Sequence, residues 1–372
     1  MKLRCNVIHS IGSLAKRENP SIDYETLKLH YAFTVGVLLI FFIIVSIEQN
    51  VGDPILCEVA GGGSIVSINA YCWIHSTFVI PKAFNKEVNI EAPHPGIDST
   101  RNPREYYFLK YYQWIYIMLL FQALLFYIPR WLWRTWEGGK MKILTKDLGS
   151  LQLPEPELNK KIAALSKYLV KTWATHNAYA AQYFFCELLA LIIVLGQFYM
   201  LEVFFDGRFI NFGAKIIEYF TSDEYYRQIA ERQNIMKNPM IMLFPRVTKC
   251  IFRKYGESST IENKDVLCVM PLNVINEKIF VFQWFWFSVL AILTALSLLM
   301  DLFLIMSGWI RVQALRSRFK LVDKKDLQLI VKKGSYGDWF IIDLIGRNID
   351  EIIFKDLVTD VSKKLTQIYK NL

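Results

Sequence analysis

The stretch YAFTVGVLLIFFIIVSI, from Tyr31 to Ile47, contains no charged side chain and decides the class of fold. Three further apolar runs follow, at Tyr111–Trp133, Tyr183–Phe205 and Ile279–Met300, and the last continues past Asp301 to about Trp309. A helix of about 20 residues crosses a hydrocarbon core of about 30 Å. Because soluble domains carry no such runs, the sequence predicts four membrane-spanning helices.

Lysine and arginine placement predicts how the chain is oriented. The first 29 residues lack the apolar core and cleavage site of a secretory signal, so we expect the first run to remain as a span. The segments 1–29, 134–182 and 309–372 together hold 26 Lys and Arg against 15 acidic residues, whereas the other two loops hold 16 of each. By the positive-inside rule the first three segments are cytoplasmic.

The net charge of +9 therefore indicates contact with anionic membrane lipid, and nucleic acid is excluded as a partner. The boundaries that follow are a cytoplasmic segment at 1–29, the first span at 30–47, an extracellular loop at 48–110, the second span at 111–133, a cytoplasmic loop at 134–182, the third span at 183–205, a second extracellular loop at 206–278, the fourth span at 279–308 and a cytoplasmic tail at 309–372.

The cysteines agree with this orientation. Cys57 and Cys72 lie in the first extracellular loop, and Cys250 and Cys268 lie in the second. Paired cysteines on the oxidising side of a membrane indicate disulfides. A structural zinc site is the alternative, but no pair has the CxxC spacing that such sites favour.

We also find no catalytic constellation, and no two of the five histidines have metal-ligand spacing, so the sequence predicts neither an enzyme nor a metal or cofactor.

A family resemblance begins at the start of the second run, where Tyr111, Tyr112, Gln113 and Trp114 followed by Ile115 closely match the YYQWV signature of innexins. Other matching segments occur in the same order along nearly the whole chain: GDPI at 52–55, YCWI at 71–74, FYIPRWLW at 126–133, WEGGK at 136–140, CELLALI at 186–192, FFDGRFI at 204–210, FPRVTKC at 244–250, PLNVINEKI at 271–279 and GDWF at 337–340. The chain thus resembles the innexins, which are invertebrate gap-junction proteins, and most of all the insect members.

The resemblance implies an all-α membrane protein with four transmembrane helices, a small disulfide-stabilised extracellular domain and a helical cytoplasmic domain. In the tail, Leu327, Ile330 and Val331 fall on one helical face, which agrees with the last expectation. The implied function is a subunit of a gap-junction channel in the plasma membrane that passes ions and small metabolites.

The expected partners are copies of the same chain or other innexins in an octameric hemichannel, an opposing hemichannel on the neighbouring cell, and membrane lipids. Two alternatives stay open: an undocked hemichannel that releases small molecules, and a four-pass adhesion protein.

For the disulfides we predict the nested pairing of Cys57 with Cys268 and Cys72 with Cys250. Cys57 closely follows the first span and Cys268 shortly precedes the fourth, so both are held near the membrane, while the other two lie further out. Pairing of Cys57 with Cys72 within the first loop is the competing arrangement.

Two groups of residues are candidates for the pore. Val7, Ile8 and Ile11 form an apolar stripe at helical spacing. This stripe fits a helix on the inner leaflet or, as the family implies, a helix folded into the pore mouth. Glu48 and Asp53 directly follow the first span, which in the family borders the pathway, and we expect them to bias the pore toward cations. Alternatively, Glu48 flanks the membrane interface and Asp53 caps a turn.

Pro129 is the candidate gating kink, because proline removes a helical hydrogen bond and clashes with the carbonyl four residues earlier. The alternative is that Pro129 only marks the end of the second span. Glu187 and Glu202 in the third span are interpreted as structural. Asp301 is a departure from the family pattern.

Overall fold

The computed structural model describes residues 20–58, 65–86, 90–100, 102–146, 148, 154–222, 238–256 and 258–370. Within these residues, four helices are long and apolar enough to cross a membrane: Glu25–Asn50, Ile115–Glu137, Asn177–Phe204 and Pro271–Met306. The four predicted spanning helices are therefore confirmed. Three of them begin earlier than predicted, because polar flanking residues continue a helix beyond its apolar run and hydropathy detects only the run.

The remaining helices are shorter, and we number all the helices in chain order: α1 (Glu25–Asn50), α2 (Ile65–His75), α3 (Ile115–Glu137), α4 (Lys140–Leu144), α5 (Glu155–Lys171), α6 (Asn177–Phe204), α7 (Phe212–Thr221), α8 (Pro239–Leu243), α9 (Pro271–Met306), α10 (Gly308–Arg318), α11 (Lys324–Lys333), α12 (Tyr336–Gly346) and α13 (Glu351–Lys370). The strands are β1 (Leu56–Glu58), β2 (Thr77–Val79), β3 (Tyr107–Leu109), β4 (Val247–Tyr255) and β5 (Ile261–Val269).

The chain divides into two compact units. We call residues 30–127 and 192–292 the disulfide unit, and residues 1–29, 128–191 and 293–372 the tail unit. Each is described by itself below.

The disulfide unit contains a five-stranded antiparallel sheet in the order β1-β5-β4-β2-β3. Strands β4 and β5 form a hairpin that pairs Val247 with Val269 at one end and Tyr255 with Ile261 at the other. One face of β5 is buried through Val266 and Cys268, whereas its first residues are exposed. The sheet was not predicted, because three of its strands have only three residues and the hairpin is largely polar.

A small core holds this sheet against α2. Its buried members come from both extracellular loops: Ile55, Cys57, Ile68, Cys72, Cys250, Val266 and Cys268. Tyr71, Trp73 and Phe252 pack around it. The predicted small disulfide-stabilised domain is confirmed as the place where the two loops share one core.

The tail unit is helical, as predicted. Helix α11 packs on α10 and α13, and α5 packs on α13. Leu327, Ile330 and Val331 are all buried, which confirms the apolar face read from the sequence. Helix α12 is buried at every residue from Gly337 to Gly346, so it forms the centre of this unit.

Candidate functional site

The extracellular loops are joined by two disulfides. Cys57 is bonded to Cys268, and Cys72 is bonded to Cys250, which is the nested pairing. Cys57 and Cys268 lie directly opposite each other in β1 and β5, while α2 carries Cys72 over β4. Three of the sulfur atoms lie within 4.8 Å of one another. Because all four cysteines are consumed in disulfides, none offers a thiolate to zinc there.

The family signature fixes the end of α2 to the beginning of α3. A short 3₁₀ turn at Tyr111–Gln113 precedes α3. The Tyr112 hydroxyl donates to the Trp73 carbonyl at 3.3 Å, and the Gln113 side-chain amide donates to the same carbonyl. The last carbonyls of a helix have no partner within the helix. The signature therefore caps the helix that carries Cys72, a role that sequence matching alone does not reveal.

The two extracellular loops also meet at Tyr107, which our sequence analysis did not single out. Its hydroxyl donates to the Asp206 carboxylate at 2.6 Å, and the Arg208 guanidinium lies 4.0 Å from its ring centre. Burial, together with the hydrogen bond to Asp206, raises the pKa of Tyr107 to about 12. The phenol thus stays protonated, and the contact persists, throughout the physiological pH range.

The Glu202 side chain stabilises the turn that follows the third span. Its carboxylate accepts hydrogen bonds from the backbone N–H groups of Phe209 and Ile210 at 2.8 and 2.6 Å. Within this turn Asp206 and Gly207 both have positive φ, at 51° and 78°. The contacts agree with the structural interpretation of Glu202.

Glu48 lies in the last turn of α1, Asp53 lies three residues after its end, and both are exposed. A Cβ atom at Gly52 would lie 2.7 Å from the Glu48 carbonyl oxygen, so the chain turns tightly there and only glycine fits. The turn keeps the two carboxylates at the same end of the helix. Their pore-lining role stays a prediction. Val7, Ile8 and Ile11 lie outside the described residues.

The residues just before α1, which we call the anchor segment (Pro20–Tyr24), are tied to the end of α3. The Trp133 indole donates to the Ile22 carbonyl at 3.0 Å, and Arg130 donates to the Asp23 carboxylate at 2.6 Å. Asp23 is only 2% exposed. These contacts hold the chain immediately before the first span against the end of α3.

Pro129 lies inside α3, which continues past it to Glu137. The alternative in which Pro129 marks the helix end is therefore wrong. Arg130 and Trp133, the residues that hold the anchor segment, both belong to the part of α3 after this proline. A gating role for Pro129 stays a prediction.

Glu187 is buried in the tail unit and accepts hydrogen bonds from the Tyr183 hydroxyl at 3.2 Å and from Ser297 at 3.5 Å. Charged or polar groups within a membrane span face protein or water in this way. The structural interpretation of Glu187 agrees with these contacts. Asp301 is also buried, at 8% exposure.

The four spanning helices define a four-pass membrane protein. Its two extracellular loops are joined by disulfides and a shared sheet, and they form one ordered extracellular domain. A family model described as Innexin matches residues 23–365. The chain is 42% identical over 361 residues to Innexin shaking-B of Drosophila melanogaster, covering 97% of this chain and 95% of that protein. It is 39% identical to Innexin inx2 of Schistocerca americana, covering 97% and 98%, and 37% identical to Innexin inx2 of Drosophila melanogaster, covering 97% and 96%.

The chain belongs to the innexin family. Innexins are subunits of gap-junction channels, and this chain is a channel subunit of that kind with insect relatives.

Proposed function

We propose that copies of this chain, alone or with other innexins, form an octameric hemichannel in the plasma membrane. Two such hemichannels dock across the gap between neighbouring cells and pass ions and small metabolites. Both termini lie in the cytoplasm.

The observation that carries this proposal is the joining of both extracellular loops into one unit by two disulfides and one sheet. A preformed surface loses less conformational freedom on binding than two separate flexible loops do. A preformed surface of this kind suits docking between two cells.

The orientation is supported by two independent features. The disulfides need an oxidising compartment, which supports an extracellular position of the disulfide unit. The excess of Lys and Arg falls on the segments 1–29, 134–182 and 309–372, and by the positive-inside rule this supports their cytoplasmic location.

Paired-cell electrical recording tests the docked channel. We expect junctional current when both cells express this chain, and none when only one cell does, unless the other contains a compatible innexin. Dye uptake in single cells that is not accompanied by junctional current in pairs would replace the docked channel with an undocked hemichannel. Particle images of the purified protein give the subunit number, and a ring of any number other than eight would contradict the octamer.

A further inference from the structure

The tail unit contains an open cavity of about 650 Å³ beside the end of α9. One wall is apolar and is formed by residues on successive turns of α9: Leu293, Leu296, Met300 and Leu304. Leu296 and Met300 remain 53% and 55% exposed. Because α9 is a candidate membrane span, these exposed apolar side chains suit contact with lipid acyl chains.

The other end of the cavity is polar and is formed by α10 and the end of α12. Gln313, Arg318 and Arg347 line it. Both arginines pair with Asp343, which is fully buried, and the Arg347 Nε to Asp343 Oδ2 distance is 3.0 Å. Two guanidinium groups thus share one carboxylate. Both remain partly exposed, at 39% and 23% of their side chains, so they can bind a further anion.

The sequence around this polar end is basic. From residue 307 to residue 322 the chain carries Arg311, Arg316, Arg318 and Lys320 and no acidic residue. A basic cluster that directly follows a membrane span attracts anionic lipid headgroups. Trp309, at the start of α10, lines the cavity and is 75% exposed, as is typical of side chains at a membrane interface.

We propose that an anionic glycerophospholipid of the cytoplasmic leaflet occupies this cavity, with an acyl chain along α9 and its phosphate beside Arg318 and Arg347. The proposal rests on the proposed cytoplasmic placement of the tail. Asp301 also lines the cavity, but the cationic side chains of the lining, Arg318 and Arg347, lie at the polar end, which favours this direction of the lipid. A neighbouring subunit is the competing occupant of the same wall.

The test uses the full-length protein, purified and placed in nanodiscs of phosphatidylcholine. The probes are trace amounts of phosphatidylserine or phosphatidylcholine that carry a photoactivatable group on the acyl chain, and labelled peptides are mapped. We expect phosphatidylserine to label residues 293–304 several-fold more than phosphatidylcholine does.

Charge variants test the polar end. Arg318→Gln would remove one ion-pair partner of the buried Asp343 and could prevent folding. Gln313→Glu is therefore the better variant. It should lower labelling by phosphatidylserine about fivefold, the ratio for about 1 kcal/mol per charge near the headgroups. Gln313→Lys should raise labelling. Lys355→Gln makes the same change in net charge on an exposed residue of α13, outside both the basic stretch 307–322 and the cavity lining, and should leave labelling near the wild-type level.

A filling variant tests the apolar wall. Met300→Trp should block labelling by both lipids, whereas Phe303→Trp, which is similarly exposed but outside the lining, should not. Equal labelling by the two lipids would overturn the proposal. Efficient disulfide crosslinking of Met300→Cys to a neighbouring subunit would overturn it too, in favour of a second copy. Because labelling is measured on purified protein, loss of junctional current in cells would count against the proposed function and not against the lipid site.

Discussion

Arg130, the residue after Pro129, donates a hydrogen bond of 2.6 Å to the carboxylate of Asp23, a residue that precedes the first span. The next residue, Tyr24, makes a second contact: its hydroxyl donates a hydrogen bond of 2.9 Å to the carboxylate of Asp343 on the buried helix α12. The Tyr24 pKa is raised well above its ordinary value by burial and by the Asp343 charge, so the phenol remains a donor. The anchor segment is thus bound to the second span and to the tail at once.

Replacing Asp23 with Asn should destabilise the tail unit and reduce junctional current. Removing one partner of a buried ion pair costs about 3–5 kcal/mol, and the partial exposure of Arg130, 19% of its side chain, reduces that figure. Thermal unfolding of purified protein and paired-cell recording measure the two effects. Glu25→Gln is the control, because its ion pair with Lys28 is exposed at the carboxylate and such pairs contribute little. Equal effects of both variants would show that the Asp23 contact has no special role.

Replacing Cys72 or Cys250 with Ser should abolish junctional current. Each disulfide closes a long stretch of chain, with separations of 178 and 211 residues, and bonds of this kind contribute about 2–4 kcal/mol to stability. Cys186→Ser is the control, since Cys186 is buried and has no disulfide. Peptide mapping without reductant checks the pairing, and a peptide joining Cys57 to Cys72 would contradict it.

The parts of the fold that could be predicted are those with a strong local signal. Long apolar runs located the four spanning helices, and the spacing of Leu327, Ile330 and Val331 located α11. The sheet could not be predicted, because three of its strands have only three residues and are held by pairing with segments far away in sequence, such as Phe78 opposite Lys249. The local amino-acid composition does not indicate which distant strand a segment pairs with.

The site was predicted less completely for the same reason. The signature residues could be recognised, but their contact with Trp73 depends on where α2 ends. Likewise the sequence left open whether Pro129 kinks α3 or marks its end, and the structure shows that α3 continues to Glu137. Propensity is a weak signal that packing overrides.

Replacing Asp338 with Asn should destabilise the tail unit by about 1–3 kcal/mol, the cost of leaving buried donors without an acceptor. The carboxylate accepts hydrogen bonds from the Ser335 N–H at 2.8 Å and the Ala174 N–H at 3.0 Å, and His176 Nδ1 lies 2.8 Å from it. Unfolding of the purified protein measures the change. The exposed Asp356, replaced with Asn, is the matched control and should have no effect.

Protonation of the Asp338 carboxylate should lower the stability of the tail unit in acid. Burial alone raises the pKa of Asp338, but the hydrogen bonds from His176, Ser335 and Ala174 outweigh burial and hold the pKa below its ordinary value. Its contribution is therefore complete above about pH 4, the ordinary value for Asp, and is lost as the pH falls toward the folded-state pKa. In Asp338→Asn this part of the acid sensitivity should disappear, and an unchanged pH profile would contradict the assignment.

Replacing Pro129 with Ala should shift the voltage or pH dependence of junctional current. Alanine restores the N–H that proline lacks and removes the clash with the Leu125 carbonyl, so the geometry of α3 changes next to Arg130, which holds the anchor segment. Pro271→Ala is the control, because Pro271 is the first residue of α9, where a helix makes no use of that N–H. Unchanged gating at normal expression would leave Pro129 without a role in gating.

Replacing Glu48 or Asp53 with Lys should reduce the preference of the channel for cations. Both carboxylates are exposed at the end of α1, and the proposed ring of subunits repeats each of them around the pore. Such a ring raises the local cation concentration, and salt screens this effect over about 10 Å at 0.1 M. Reversal potentials in asymmetric salt measure the preference. Because salt screens the carboxylates, the change in reversal potential should be larger at low ionic strength. Glu218→Lys, an exposed carboxylate on α7, controls for a general change in charge. If Glu48→Lys and Asp53→Lys both leave the reversal potential where Glu218→Lys leaves it, the two acids only flank the membrane and cap the turn before Pro54.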